Sequence, residues 1–157
     1  MCLAAAYLAW PVTILQVEAG QETGFIRLAL SLSPGQKVTL GFVHSLYKVV
    51  QEERYVIQDG KLRLSSVYFG SFDALTYYDP LEILPRKKIQ GGYEVVINSV
   101  LSLPVYFGTA HSTAMWLKVG EAPPIPLEQF INGHDSFSLH LAKWPRAAAS
   151  LLEVIYG

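Results

Sequence analysis

Cysteine is almost missing from this 157-residue chain, with Cys2 alone to represent it. One thiol allows no intrachain disulfide, no cysteine-built zinc site and no CxxC redox motif. The compartment stays open, since a cytosolic protein and a reduced extracytoplasmic one look alike on this count. Charge is scarce as well: Asp, Glu, Lys and Arg make up 16% of the residues against 51% hydrophobic, and the formal net charge is −1. No broad positive field is available to hold a phosphate backbone. The one basic cluster, Arg86-Lys87-Lys88, sits beside a turn and reads as a solvated face, so nucleic acid is not an expected partner.

Long runs are missing too. No extended segment carries the 3.6-residue period of an amphipathic helix, and no repeat, low-complexity tract or linker divides the chain. Met1 to Val17 is uncharged, but it falls short of the roughly 20 residues that a spanning helix needs. Pro11 interrupts it, and a basic n-region is lacking. Two readings fit. Residues 1–11 are either the remnant of a signal or anchor segment, with N-terminal membrane association, or the buried extension of a first strand. Residues 12–157 then form a single β domain, a size and apolar content that support a sizeable core.

What the chain does contain is short β-rich runs separated by turn residues. In "ERYVIQDGKLRLSSVYF", Asp59-Gly60 supplies the positive φ angles of a two-residue hairpin turn, and "RKKIQGGYEVVIN" repeats the device at Gly91-Gly92. "FIRLALSLSPGQKVTLGFVH" reads as a third hairpin turning on Pro34-Gly35. Further strands are expected at Val12–Val17, Val105–Gly108, Ala114–Val119 and Phe137–Ala142. The prolines of "GEAPPIPLEQFINGHD" forbid a central strand, and Leu127–Ile131 makes one helical turn ended by Asn132-Gly133. The fold class is therefore all-β: an antiparallel sandwich or partly closed barrel of about nine strands.

One stretch stands out, "GFVHSLYKVVQEERY" from Gly41 to Tyr55. Alternate strand residues share a face, so His44 has the inward parity of Val38, Leu40 and Phe42. On the returning strand Glu53 shares the inward parity of Tyr55 and Ile57, while Glu52 does not. A hairpin would let His44 meet Glu53, with Ser45 adding a hydroxyl. Such a trio either stabilises the turn and nothing more, or forms one wall of a ligand or partner site. A second His-Ser pair occurs at His111-Ser112, beside Gly108. His44, His111 and Glu53 make a two-histidine, one-carboxylate metal set only if tertiary structure gathers them, because no HExxH spacing does. Serine catalysis lacks a GxSxG turn, and adjacent His44 and Ser45 on an extended strand face opposite ways. No cofactor is expected. His134-Asp135 reads as solvent loop, His140 as outward-facing beside Leu139 and Leu141, and Tyr77-Tyr78-Asp79-Pro80 as a turn with aromatic cover.

"HSLYKVVQEERYVIQDGKLRLSSVYF", preceded by "PVTILQVEAGQETGFIRLALSLSPGQKVTLGFV", resembles the small bacterial family known as domain of unknown function 1850. There an aromatic-rich strand ends in a His-Ser pair, an acid pair follows a short loop, and a dipeptide turn leads to the next strand. His44, Ser45, Glu52 and Glu53 match in order and spacing, over Pro11 to about Trp144. Members often carry a Gly-Ala-Gly stretch where this chain reads "GSFDALTYYDP". The resemblance implies a bacterial protein encoded beside TAXI-type TRAP transporters, with a hydrophobic export or anchor segment and no established activity.

The expectation is a non-enzymatic extracytoplasmic accessory, periplasmic or anchored at the outer face of the cytoplasmic membrane, that binds a small ligand or TRAP transporter components. Its contact residues would be His44, Ser45, Glu52, Glu53 and His111. The alternatives are a metal-binding protein or metal-dependent enzyme using His44, His111 and Glu53, and a purely structural interaction module.

Overall fold

The computed structural model describes residues 7, 9–20, 26–109, 114–131 and 133–149. They include eleven strands and two short helices, and residues 146–149 are helical as well. The strands are β1 (Pro11–Ala19), β2 (Ile26–Leu32), β3 (Lys37–Val43), β4 (Val50–Gln58), β5 (Lys61–Phe69), β6 (Arg86–Ile89), β7 (Gly92–Val100), β8 (Val105–Gly108), β9 (Met115–Val119), β10 (Ile125–Pro126) and β11 (Ser136–Pro145). The helices are α1 (Phe72–Tyr78) and α2 (Glu128–Ile131). Of the two all-β forms expected, the structure has the two-sheet one. A four-stranded sheet runs β2-β1-β11-β8, a seven-stranded sheet runs β10-β9-β3-β4-β5-β7-β6, and neither closes into a barrel. Every pairing is antiparallel.

The residues gather into two compact units. One takes 1–34, 102–109 and 130–157 and carries the smaller sheet; the other takes 35–101 and 110–129 and carries the larger. In the smaller unit, β1 is buried from Thr13 to Ala19 on both of its faces. Leu15, Val17, Leu139 and Phe137 line one face, and Phe107 stacks on Phe137 with ring centroids 5.0 Å apart. Ile14, Ala29 and Ala149 cluster on the other, joined by Val12, Ile26 and Trp144. In the larger unit, Val38, Leu40, Tyr55, Ile57, Leu62, Val67, Phe69, Val95 and Leu117 are all at most 3% exposed. That set has the alternation a one-sided sheet requires.

The β4–β5 hairpin turns on Asp59 and Gly60 at φ 52° and 69°, as the dipeptide requires. The β6–β7 turn lies one residue earlier than expected. Ile89 pairs with Gly92, so Gln90 and Gly91 are the loop and only Gly91 has positive φ, 83°. The expected hairpin at Pro34-Gly35 is not one. The chain does turn there, with Gly35 at φ 77°, but β2 pairs with β1 and β3 pairs with β4 and β9. Turn residues set a reversal of direction, not the partner that satisfies the strand beyond it. Gly35 N donates to Ile57 O at 2.8 Å, which commits the far side of the turn to the larger sheet. The proline-rich stretch contributes only the edge strand β10, as the missing donors dictate. The helical turn α2 follows it, with Glu128 accepting from Met115 N at 2.9 Å.

Helix α1 takes in the start of the stretch Tyr77-Tyr78-Asp79-Pro80, expected to be a turn with aromatic cover. Tyr77 and Tyr78 are its last residues, and Asp79 is its C-cap. The Ser71 hydroxyl accepts from Ala74 N at 3.2 Å, an N-cap ahead of buried Ala74 and Leu75. Phe72 meets Tyr93 at 5.4 Å and Tyr78 meets Phe69 at 5.1 Å, so both ends of this helix rest on ring contacts with β5 and β7.

Candidate functional site at the β3–β4 turn

Val43 and Val50 form the last cross-strand pair of β3 and β4. Beyond it His44 N donates to Val49 O at 2.8 Å, and Lys48 N donates to His44 O at 2.8 Å. Lys48 takes φ 55° to complete the return. The His44 side chain belongs to this turn. Its Nδ1 accepts from Leu46 N at 3.2 Å and Tyr47 N at 3.4 Å, which places the imidazole proton of the neutral ring on Nε2. Ser45 is exposed on the loop.

Three rings meet here. His44 lies 5.1 Å from Tyr47 and 5.7 Å from Tyr77, edge to face with the latter, and Tyr47 lies 6.0 Å from Tyr77. These separations are those of favourable aromatic pairs. The rim beside them is apolar and open: Leu46 is 63% exposed, Tyr77 64% and Val50 37%. The contribution of α1 was not legible from strand reasoning. Its signal was local: a serine N-cap in front of a short helix-forming run.

His44 and Glu53 do not meet. Val49 lies opposite His44 and Leu40 lies opposite Glu53. Four residues at roughly 3.3 Å each separate Leu40 from His44, about 13 Å along the strand. The parity argument was correct and the register argument was not. A His44–Glu53 pairing needs a longer loop than the one that His44 itself closes. Glu53 sits instead between fully buried Leu40 and Val67, and accepts a short hydrogen bond from the Tyr55 hydroxyl. Burial pushes the Glu53 carboxyl above its ordinary range, and the hydrogen bond from Tyr55 offsets part of that. Tyr55 and Tyr78 are raised as well, first by burial and then by the negative charge of Glu53.

Glu52 points to the opposite face, as its parity required. Its Oε2 accepts from Arg54 Nη2 at 2.8 Å and Nε at 3.2 Å, and Arg54 Nη1 reaches Glu94 at 3.0 Å. Ser66 also donates to Glu94, at 2.9 Å, and the Arg54 guanidinium lies 5.3 Å from the Tyr68 ring centroid. Cross-strand register aligns Trp116, Gly41, Glu52, Tyr68, Glu94 and Lys87 in one row. These polar groups satisfy one another, which makes the row a structural network.

His111 lies outside the described residues, as does Ser112. The proposed metal set of His44, His111 and Glu53 fails at its first pair, since His44 and Glu53 are apart. Among the described residues no three His, Cys, Asp or Glu side chains are grouped to hold an ion. The sequence reading also placed His140 outward, yet its Nε2 lies 3.3 Å from Glu18 Oε2 and 2.9 Å from Ser138 Oγ. Ser138 and Glu18 are buried and paired across β11 and β1. Both contacts fall on one nitrogen, so this imidazole does not relay between serine and acid as a catalytic triad must. Parity could not reveal the trio because β1 is buried on both faces; the Ser-x-His spacing, which puts two side chains on one face, was the available signal.

Comparison of the chain with protein-family models, with curated proteins and with solved structures finds no match.

Proposed function

We propose that this protein is a non-enzymatic binding domain that docks a protein partner through the aromatic rim of the β3–β4 turn. The observation that carries the reading is the contact of His44, Tyr47 and Tyr77 beside exposed Leu46 and Val50. Interfaces concentrate tyrosine and large apolar side chains, with hot spots in a packed aromatic centre. A histidine whose Nδ1 accepts two backbone N–H groups is a rigid part of such a platform. The resemblance to the family encoded beside TAXI-type TRAP transporters supplies the partner: the membrane components of that transporter, met on the outer face of the cytoplasmic membrane. Ser45 belongs to this surface, whereas Glu52 and Glu53 leave it.

The test is co-purification of the full chain with the membrane components of a TAXI-type TRAP transporter from the same organism. Leu46→Asp combined with Tyr77→Ala is expected to cut retention at least tenfold, with the melting temperature little changed because both side chains are largely exposed. Equal retention of variant and parent would refute the rim as the docking surface. Retention of neither would refute the transporter as partner.

A further inference from the structure

Leu81 and Ile83 are the two most exposed large apolar side chains among the described residues, at 77% and 72%. Both stand on the connection 80–85 between α1 and β6, where Leu84 alone is partly buried. Single exposed aliphatics are ordinary, but two at one loop tip, two residues apart, call for a reason. The exposure is built in, because the loop backbone is fixed from beneath. Buried Asp79 accepts from Ile83 N at 3.1 Å through one carboxylate oxygen and from Leu84 N at 3.0 Å through the other. Glu82 N donates to Asp79 O at 3.2 Å, Glu82 takes φ 55°, and Val96 N donates to Pro85 O at 3.1 Å. Pro80 and Pro85 bracket the loop and fix two of its φ angles. A backbone held in this way presents Leu81 and Ile83 to solvent, and little conformational entropy is lost when a partner covers them.

The charge beside the tip decides what that partner is. Arg86 is occupied by Asp79, at 3.2 Å, and by Glu82, at 3.5 Å, so the acid between the two aliphatics is turned towards a cation. Lys87 and Lys88 follow, both exposed, and neither has an ion-pair partner among the described residues. Glu94 is opposite Lys87 in register, but its carboxylate is held by Arg54 and Ser66. β6 is an edge of the seven-stranded sheet, and neighbours on a strand project to opposite faces, so one lysine flanks each side of that edge. An edge-on approach brings both ammonium groups to one surface, with the loop that precedes them. Four residues at roughly 3.3 Å each place Lys87 within about 13 Å of chain from Ile83. Edge lysines and an edge proline oppose the addition of another strand, which sets aside a β-paired peptide as occupant. A surface with negative headgroups over an apolar interior complements both features.

We propose that the tip of this loop inserts into the surface of an anionic lipid bilayer: Leu81 and Ile83 enter the acyl boundary, and Lys87 and Lys88 meet the headgroups. Two apolar side chains alone hold a bilayer weakly, and basic residues at headgroup level supply the second attraction. The contact uses no residue of the aromatic rim and requires no transporter, so either reading can fail without the other.

The experiment is flotation of the full chain with vesicles of equal parts phosphatidylcholine and phosphatidylglycerol, and with vesicles of phosphatidylcholine alone. The expected result is binding at least tenfold tighter to the anionic vesicles and weakened by salt. Leu81→Ser with Ile83→Ser is expected to lower it at least tenfold; the backbone N–H groups that Asp79 holds remain, and circular dichroism checks the fold. Lys87→Gln with Lys88→Gln is expected to lower it at least fivefold and to remove most of the salt dependence. Leu81→Cys in a Cys2→Ser chain carries an environment-sensitive fluorophore at the tip, since Cys2 is the one native thiol. Its emission is expected to shift to the blue on anionic vesicles. An unshifted label on a chain that floats would place the membrane contact elsewhere and overturn the proposal. Equal binding to the two kinds of vesicle, binding undiminished in either double variant, or no binding to anionic vesicles would overturn it as well.

Discussion

Glu53 is a carboxylate placed where its charge costs stability. Its pKa is raised in the folded state, first by burial, so the folded chain holds a proton in a pH range where the unfolded chain has lost it. By linkage, stability falls as pH rises from the ordinary carboxylate value near 4.5 up through the raised value, and the loss persists above it. Glu53→Gln is expected to raise the melting temperature at pH 8 and leave it almost unchanged at pH 4; an equal shift at both would show that the charge is not the cause. Asp79 is the opposite case, a 6% exposed acid fully employed. It accepts from Ile83 N at 3.1 Å, from Leu84 N at 3.0 Å and from Arg86 Nη2 at 3.2 Å. Asp79→Ala leaves those donors without their acceptor and should cost about 2–3 kcal/mol in denaturant unfolding. A cost within experimental error would mean that water replaces the carboxylate.

Gly41 shows what an element asks of one residue. A Cβ there would lie 2.1 Å from Trp116 Cε2, because the indole of β9 lies flat across the glycine of β3. Gly41→Ala is expected to push Trp116 off the sheet and destabilise by about 1–3 kcal/mol, as overpacking does. The indole emission should shift towards that of an exposed tryptophan, and unchanged emission together with unchanged stability would disprove the close approach. The turn between β3 and β4 teaches a related lesson. His44 was legible as a residue of inward parity at a strand end, but its partners are backbone groups of its own loop. The bond from His44 N to Val49 O sets the register, and the register moves Glu53 away from the turn.

Each compact unit is built from separate stretches of chain, and the smaller one from three. Its sheet depends on β11, which pairs with β1 on one side and β8 on the other. Pro11 and Pro145 are partners in that ladder, a closure across almost the entire chain. Removing residues 136–157 is expected to abolish amide protection throughout β1, β2 and β8, because an isolated two-stranded hairpin is marginal in water. Protection retained in β1 and β2 would show that the hairpin is stable without its central neighbour.

By itself the sequence determined the properties that depend on near neighbours. The all-β class, the Asp59-Gly60 turn, the strand at Val105–Gly108, the strand expected at Ala114–Val119 and found at Met115–Val119, and the inward faces of β3 and β4 follow from pleat alternation and backbone preference. Tertiary structure alone decided which strands share a sheet, and so separated β2 from β3 across a turn that looked like a hairpin. It also decided that β1 is buried on both faces, which hid Glu18, Ser138 and His140 from any parity argument, and that α1 brings Tyr77 to His44. The reason is the range of the forces. Turn chemistry and side-chain direction are settled within a few residues, whereas pairing and register are settled by burial gained between distant segments, and residues far apart in the chain carry no mark of each other.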